Sequence, residues 1–396
     1  MNESFWLAKR GEMMLDAEHV NFNAGTLSPT PRPVFEAVTK LRQQQASNPS
    51  DFHWRQIPPL ISRSRQRLAE YLHCRTDDLL LLPNVTFAIN LVVHSLKLPA
   101  GSEILMTDHE YGAMLFCWQR QAALSNWKIT QLPLPYRSED PDEIVDAFRR
   151  AITNDTRVIF FSHCTTTTGL VLPAQRIAQL GRERGIMVVI DGAHAPGMVP
   201  LDLGDIGADF YGANCHKWLM APAGAGFLHV DPRHKAMIEP LITSWGWEFD
   251  RDKLDDDSAW GGNFWQRNFE FNGTLDRTPQ MVIAEALDFR ASLRGDDSII
   301  DRYRSLTTHA RNRIAASGFP TATPANPALS GCIQSFDFPC DDPIRIRDAM
   351  YFDHHIECPV TTASGWTFLR VSCSWFNTTQ EIDQLVAAVE QLRPGK

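Results

Sequence analysis

The fold is indicated most clearly by residues 188–217, VVIDGAHAPGMVPLDLGDIGADFYGANCHK. An apolar run from Met187 to Ile190 ends in Asp191, which is typical of a buried strand that delivers a carboxylate to its carboxyl end. A second short strand is predicted at Asp209–Gly212, and it leads to Lys217, 26 residues after the aspartate. Open α/β sheets bind ligands at this edge, so we expect Asp191 and Lys217 to face one site.

A lysine and an acid in this arrangement are what pyridoxal 5′-phosphate (PLP) requires. A lysine amine can hold a carbonyl cofactor as a Schiff base. An acid opposite the pyridine nitrogen keeps the PLP ring protonated, so that the ring can act as an electron sink. Asp191 and Lys217 each follow a predicted strand. Because either residue alone is weak evidence, the interpretation depends on the further motifs below.

The composition is that of an ordinary globular protein. The 396 residues are 43% hydrophobic and 21% charged, which is enough for a large domain and a smaller one. A net charge of −9 without a basic run argues against nucleic-acid binding. No apolar run approaches the ~20 residues that span a bilayer, and the amino-terminal sequence lacks the apolar core of a secretory signal. We therefore expect a cytoplasmic protein with no membrane partner.

The cysteines do not indicate a metal site. All 8 are scattered without CxxC pairs, which favours reduced thiols in a cytoplasmic enzyme. His354, His355 and Cys358 lie close in sequence, but no second cluster completes the four ligands of a zinc site. We expect no bound metal.

Strands and helices alternate from about residue 79 to residue 230. This pattern predicts an α/β fold with a mostly parallel sheet that helices cover on both faces. A smaller α+β region follows, with strands predicted at Cys332–Phe338, Ile356–Val360 and Thr367–Ser372. The tryptophan-rich segment 243–279 is too long and irregular for a simple connection, which favours a functional or interface loop.

Two residues near predicted strand ends have alternative interpretations. Thr86 lies at a helix start, where free N–H groups and the helix dipole suit a phosphate, but an N-cap is an equally good reading. Tyr111 follows the strand Glu103–Met106 and could stack on a flat ring, although core packing is the commoner role of an aromatic residue there.

In sequence, the chain resembles the class V aminotransferase family of PLP enzymes, and within it an epimerase subgroup. The resemblance covers nearly the whole chain and implies fold type I, with a mostly parallel seven-stranded sheet and a smaller carboxyl-terminal α+β domain. The expected division is an arm at 1–25, a PLP-binding domain at 26–280 and a small domain at 281–396, to which the arm contributes. The blocks that carry the resemblance are NFNAGTLSP (21–29), NPSDFHWRQIPPL (48–60), NVTFAINLV (84–92), DHEYGA (108–113), SHCTTTTGLVLPA (162–174), VVIDGAHAPG (188–197), CHKWLMAP (215–222), SWGW (244–247) and LRVSCSWFNT (369–378).

The resemblance implies a role for each cofactor residue. Lys217 would form the Schiff base, Asp191 would pair with the pyridine nitrogen, and His194 would reach the phenolic oxygen of PLP. Tyr111 would stack on the ring. The other positions that match cofactor contacts are Thr86, Asn214 and His216 at the phosphate, and Thr166 beside the cofactor oxygen.

The resemblance also implies a substrate site and a homodimer. Thr274 matches a position that reaches the phosphate of the neighbouring subunit. Arg370 matches the arginine that binds the α-carboxylate of an amino acid, a role that suits its two parallel donors. Asn23 and Arg55 are further candidates for binding the substrate.

These assignments imply epimerisation at the α-carbon of an amino acid. Lys217 would remove the Cα proton, and the protonated ring would delocalise the carbanion. A second acid must return a proton from the other face, and Tyr111 and a bound water are only candidates for it.

The same residues would equally serve C–S cleavage or transamination, and a non-catalytic PLP-fold binding protein is a remote alternative. The position of the desulfurase nucleophile falls on Ile356, and Cys358 is interpreted as a buried structural cysteine in a strand. This argues against a persulfide-forming desulfurase.

Overall fold

The computed structural model describes residues 3–247, 260–363 and 365–393. Twelve residues of the tryptophan-rich segment, 248–259, lie outside the described ranges. The strands are β1 (Val20–Asn21), β2 (Leu79–Leu82), β3 (Glu103–Thr107), β4 (Lys128–Leu132), β5 (Thr156–Ser162), β6 (Met187–Asp191), β7 (Phe210–Asn214), β8 (Gly226–Val230), β9 (Ile333–Asp337), β10 (Ile356–Glu357), β11 (Val360–Ala363) and β12 (Trp366–Ser372).

Most of the helices alternate with these strands along the chain. They are α1 (Glu3–Arg10), α2 (Arg32–Ser47), α3 (Pro49–Asp51), α4 (Ile57–Leu72), α5 (Val85–Ser95), α6 (Gly112–Ser125), α7 (Pro141–Ala151), α8 (Ala174–Glu183), α9 (Leu203–Ile206), α10 (Phe264–Glu270), α11 (Thr278–Met281), α12 (Ile283–Ala291), α13 (Asp296–Ala316), α14 (Pro343–Phe352) and α15 (Thr379–Gln391).

The main sheet has 7 strands in the order β2-β8-β7-β6-β5-β3-β4. Only β8 runs antiparallel to its neighbours, and the other pairs are parallel. The carboxyl ends of β3, β5, β6 and β7 therefore meet at one edge, as the alternating pattern predicted. The predicted fold class, a type I α/β fold, is confirmed.

The sheet is apolar on both faces because helices cover both. In β5, Val158 and Phe160 pack with residues of α5 and α6, whereas Ile159 and Phe161 pack with residues of α7 and α8. Successive side chains of a strand point to opposite faces, so this run of apolar residues supplies both layers. Burial on both faces is typical of parallel sheets.

A smaller sheet, in the order β11-β12-β9, is antiparallel. Leu369 and Val371 of β12 pack with apolar residues of α13 and α15. Near the amino terminus, β1 pairs in parallel with β10, and Phe22 packs in the same apolar cluster as β12. The amino-terminal segment is thus tied to this part of the chain.

The predicted strand Ile356–Val360 is wrong as a single element. Ile356 and Glu357 pair with β1, whereas β11 begins at Val360 and pairs with β12. Pro359 lies between the two and has no N–H to donate to a ladder. Cys358 therefore lies between strands of different sheets and not inside one.

The tryptophan-rich segment contains a helix that the pattern did not predict. Asn263 caps α10, and Asn263 and Gln266 form a reciprocal capping box. This spacing is a helix-start signal that the irregular composition around it concealed. The chain after this segment forms two consecutive helices, α11 and α12, which meet at Val282.

Within the described ranges, no helix is long and apolar enough to cross a membrane. In the same residues, no group of three or more His, Cys, Asp or Glu side chains could hold a metal ion.

Candidate active site

A polar pocket of about 260 Å³ lies at the edge where the parallel strands end. The last residues of three adjacent strands line it, namely Ser162 of β5, Asp191 of β6 and Asn214 of β7. Lys217 lines the same pocket. A larger cleft of about 750 Å³ between α8 and α13 contains neither Asp191 nor Lys217.

Lys217 contacts His194 inside this pocket. Its Nζ lies 3.2 Å from Nε2 of His194. Burial lowers the pKa of the Lys217 ammonium to about 8, with a smaller contribution from the charge of Arg370. Burial also holds the pKa of His194 well below its ordinary value, so the imidazole is neutral and can accept a hydrogen bond from the lysine. Nδ1 of His194 is buried and has no partner among the described residues.

Asp191 presents a buried carboxylate to the same space. Burial raises the pKa of its carboxyl group to about 6, a shift that the Ala193 N–H and the charge of Lys217 limit. The N–H of Ala193 donates to Oδ1 of Asp191 at 2.8 Å. Oδ2 accepts no hydrogen bond from the part of the chain that the structure describes, so it is available to a ligand.

The amino terminus of α5 forms another wall. Asn84 is the N-cap, because its side chain accepts from the N–H of Phe87, and the N-cap interpretation of Thr86 is therefore wrong. Thr86 lies in the first turn, where N–H groups have no helical acceptor, and it lines the pocket. Oδ1 of Asn214 accepts from the Val85 N–H at 2.9 Å, which ties β7 to this helix.

His216 also lines the pocket. Its Nδ1 lies 3.2 Å from the carbonyl oxygen of Ala225, which leaves Nε2 for another contact. Burial lowers the pKa of His216 to about 4, so the ring is neutral. Thr86, Asn214 and His216 together give uncharged hydrogen-bonding groups at the helix start, where the dipole favours an anion.

Arg370 is far from Lys217 along the chain, but its side chain lines the same pocket. Its side chain is 5% exposed, and Nη1 donates to Oγ1 of Thr166 at 2.9 Å. Nη2 donates to Oδ1 of Asn23 at 2.7 Å and to Oγ1 of Thr26 at 3.0 Å. Nε is buried and has no partner among the described residues. The guanidinium is thus held by neutral acceptors and keeps one donor open.

The structure brings together most of the predicted site residues but not all of them. Tyr111 and Thr166 line the pocket, and Asn23 lies behind Arg370. Arg55 is not brought to the pocket, because its 74% exposed side chain pairs with Asp51 at 3.0 Å. Thr274 lines a different, surface depression with His53 and Trp245.

Several residues that line the pocket were not predicted from the sequence. Thr26 contacts Arg370, and Cys164 and Ser162 contribute to the wall. Gly25 also lines the pocket, and a Cβ there would lie 2.9 Å from Oγ of Ser372, so a larger residue would require that side chain to shift. The block NFNAGT contains Gly25 and Thr26 and matches the family, so it was the part of the sequence from which these two residues could have been predicted.

The cysteine nearest to the desulfurase position is buried. Cys358 is 1% exposed, and Ile356 is 0% exposed. Burial raises the pKa of the Cys358 thiol far above its ordinary value, which disfavours the nucleophilic thiolate. Neither residue lines the pocket of Lys217.

The chemistry of the pocket fits PLP. A primary amine of lowered pKa suits the aldehyde, and the buried carboxylate suits the pyridine nitrogen. The first turn of α5 suits the phosphate, and the unpartnered Nδ1 of His194 shows a polar group not satisfied by the protein alone. The fold and this site together define a PLP-dependent enzyme of fold type I.

The chain belongs to the class-V aminotransferase family, whose sequence pattern matches residues 19–385. It is 39% identical to isopenicillin N epimerase of Amycolatopsis lactamdurans over 98% of each chain. It is 25% identical to putative L-cysteine desulfhydrase 1 of Oryza sativa subsp. japonica, over 93% of this chain and 82% of that protein. A solved cysteine desulfurase from Escherichia coli has the same fold, with a TM-score of 0.82 at 21% identity and 98% coverage of both chains. The family and cofactor predicted from the sequence are confirmed.

Proposed function

We propose that this enzyme epimerises the α-carbon of an amino-acid substrate, and that isopenicillin N is the first substrate to test. The carrying observation is that Lys217, Asp191 and Arg370 line one pocket. Lys217 supplies a base, Asp191 supplies a carboxylate for the ring nitrogen of PLP, and Arg370 supplies a cation that can bind the substrate carboxylate. The 39% identity to an isopenicillin N epimerase supports the choice of reaction.

Each residue has a defined task in this proposal. Lys217 would hold PLP covalently through Nζ, and the same Nζ would act as the base that takes the proton from the substrate Cα. Bound PLP supplies the sink for the electron pair left at Cα. Asp191 would keep the pyridine nitrogen protonated, and His194 would bind the phenolic oxygen. The remaining cofactor contacts would be Tyr111 at the ring face, Thr166 beside the cofactor oxygen, and Thr86, Asn214 and His216 at the phosphate.

Arg370 binds the α-carboxylate and so orients Cα toward Lys217. Its charge is available because no carboxylate from the described residues pairs with it. Inversion then requires a proton from the face opposite Lys217, for which Tyr111 and a bound water are the candidates. The Cα–H bond that breaks is replaced by another, so the reaction needs no oxidant or reductant.

We further propose that the active unit is a cytoplasmic homodimer in which Thr274 reaches the partner's phosphate site. Large apolar side chains are exposed around Thr274, including Trp245 at 78%, Trp54 at 56% and Leu275 at 50%. An exposed apolar surface of this kind marks interfaces.

The test is to incubate the PLP-loaded enzyme with isopenicillin N in deuterated water. We expect both epimers to form, with one deuterium at the inverted carbon, and no sulfide or oxo acid. Lys217→Ala is the control that should abolish exchange. Release of an oxo acid would instead indicate transamination and contradict the proposal.

C–S cleavage is the second candidate, because the chain is also similar to a putative cysteine desulfhydrase. Lys217 and Asp191 would serve that reaction equally well. Cysteine and cystine belong in the same assay, since sulfide release with either, and no exchange with isopenicillin N, would favour this candidate.

A further inference from the structure

A single amide, that of Asn23, links Arg370 to the carboxylate of Glu357. Asn23 donates from Nδ2 to Oε1 of Glu357 at 2.7 Å. Its Oδ1 accepts from Nη2 of Arg370 at 2.7 Å. The charge of Glu357 acts on Arg370, but the two side chains form no direct ion pair.

These contacts fix the direction of the Asn23 amide. In the opposite orientation the NH₂ group would face the guanidinium, and the carbonyl oxygen would face the Glu357 carboxylate. Both hydrogen bonds would be lost, because donor would meet donor and acceptor would meet acceptor. Thr26 adds to the preference, since its hydroxyl donates to Oδ1 of Asn23 at 2.7 Å.

The backbone holds the three side chains in register. Asn21 lies opposite Glu357 in the β1–β10 pair, and the Phe22 N–H donates to the Glu357 carbonyl oxygen at 2.9 Å. On the other side, the Ser372 N–H donates to the Phe22 carbonyl oxygen at 2.8 Å. The chain at residues 21–23 therefore runs between the strand of Glu357 and the strand of Arg370.

We propose that Glu357 is a positioning residue, which orients the Asn23 amide so that Arg370 is held by a neutral acceptor and keeps its charge for the substrate carboxylate. This inference rests on the proposed function, in which Arg370 binds an amino acid. A carboxylate in direct contact with Arg370 would form a bidentate pair and compete with the substrate. The interposed amide avoids this competition while it still fixes the guanidinium.

The experiment measures dissociation constants from the visible band of the PLP-loaded enzyme, for isopenicillin N, for L-alanine and for L-alaninamide. Glu357→Ala should weaken the binding of isopenicillin N and of L-alanine about tenfold, the cost of roughly one buried hydrogen bond. It should change the binding of L-alaninamide, which has no carboxylate, less than twofold. Glu357→Gln keeps an oxygen that accepts from Asn23, so it should bind within about threefold of wild type. Asp16→Ala, which removes a carboxylate from the small pocket that Glu357 also lines, is the matched control and should change nothing.

A second variant, Asn23→Asp, tests the same inference with Glu357 unchanged. It puts a carboxylate against Arg370, so it should weaken binding of L-alanine more than of L-alaninamide. Melting curves verify that each variant folds.

The inference is wrong if Glu357→Ala weakens the acid and the amide equally, if it weakens neither, or if Glu357→Gln is as weak as Glu357→Ala. Arg370→Lys separates this failure from failure of the proposed function. If Arg370→Lys binds the amino acids normally, or if the wild-type band responds to none of them, the proposed carboxylate site is wrong and the inference falls with it.

Discussion

Nζ of Lys217 and Nε2 of His194 lie 3.2 Å apart, although the residues are separated by 23 positions in the chain. Burial lowers the pKa of both groups. The imidazole is therefore neutral and accepts from the ammonium, while the lysine is easier to deprotonate than a lysine in water. Burial, more than this contact, therefore prepares the amine for reaction with an aldehyde.

The first prediction concerns the pH dependence of cofactor loading. With a pKa of about 8, roughly a tenth of Lys217 is neutral at pH 7, against about one part in 3,000 for an ordinary lysine. The loading rate of cofactor-free enzyme should therefore rise with pH and level off above about 8. Borohydride reduction and peptide mass mapping should place the label on Lys217. A midpoint near 10, or a label on another lysine, would contradict the assignment.

The second prediction is that Asp191→Asn stabilises the cofactor-free protein. The pKa of Asp191 is raised from 3.8 to about 6, so folding disfavours the ionised carboxylate. This penalty is absent below pH 3.8 and complete above about pH 6. At pH 7.5 the variant should be more stable by about 3 kcal/mol, and the gain should vanish near pH 4. Urea unfolding of wild type and variant at pH 7.5 and pH 4 measures this difference in stability. An equal gain at both pH values would show that ionisation of Asp191 is not its cause.

The third prediction is that Arg370→Lys retains PLP but loses the substrate. Lysine keeps the charge but not the fork that holds Thr166, Asn23 and the carboxylate together. The visible band should persist, while kcat/KM falls by about two orders of magnitude, or roughly 3 kcal/mol. Steady-state kinetics with any amino acid that the wild-type enzyme accepts measure this fall in kcat/KM. Full activity with normal saturation would show that Arg370 does not bind the carboxylate.

The fourth prediction tests the shared site. Thr274 lies in a different surface depression from Lys217 of its own chain. Lys217→Ala and Thr274→Ala subunits, each weak alone, should regain activity when mixed, because some mixed dimers contain one intact site. Subunit exchange is verified by native mass spectrometry. If exchange occurs without recovery, Thr274 does not act across an interface.

The fifth prediction is that Cys358→Ala leaves turnover nearly unchanged. Sγ of Cys358 lies 3.5 Å from the carbonyl oxygen of Arg370 and is buried in the apolar cluster of the small sheet. The variant should lose about 1 kcal/mol of unfolding free energy, which should appear as a lower melting temperature. A persulfide trapped on Cys358 during turnover would revive the desulfurase alternative.

Local sequence determined the architecture and the two central site residues. The strands predicted at Cys332–Phe338 and Thr367–Ser372 lie within one residue of the observed β9 and β12 at each end. Asp191 could be placed at the sheet edge because strand ends are local features, and parallel strands share one carboxyl edge. Even the missed helix α10 had a local signal, the capping box of Asn263 and Gln266.

Only the tertiary structure decided how Arg370 is held. Its partners come from residues 23, 26 and 166, and Glu357 acts through Asn23. No periodicity links such distant positions, because their meeting depends on the register of β1 with β10 and of β12 with β9. The division of the strand at Pro359 depends on the same pairing. The sequence by itself thus determined which groups reach the sheet edge, whereas packing between remote segments decided which of them touch and how each is oriented.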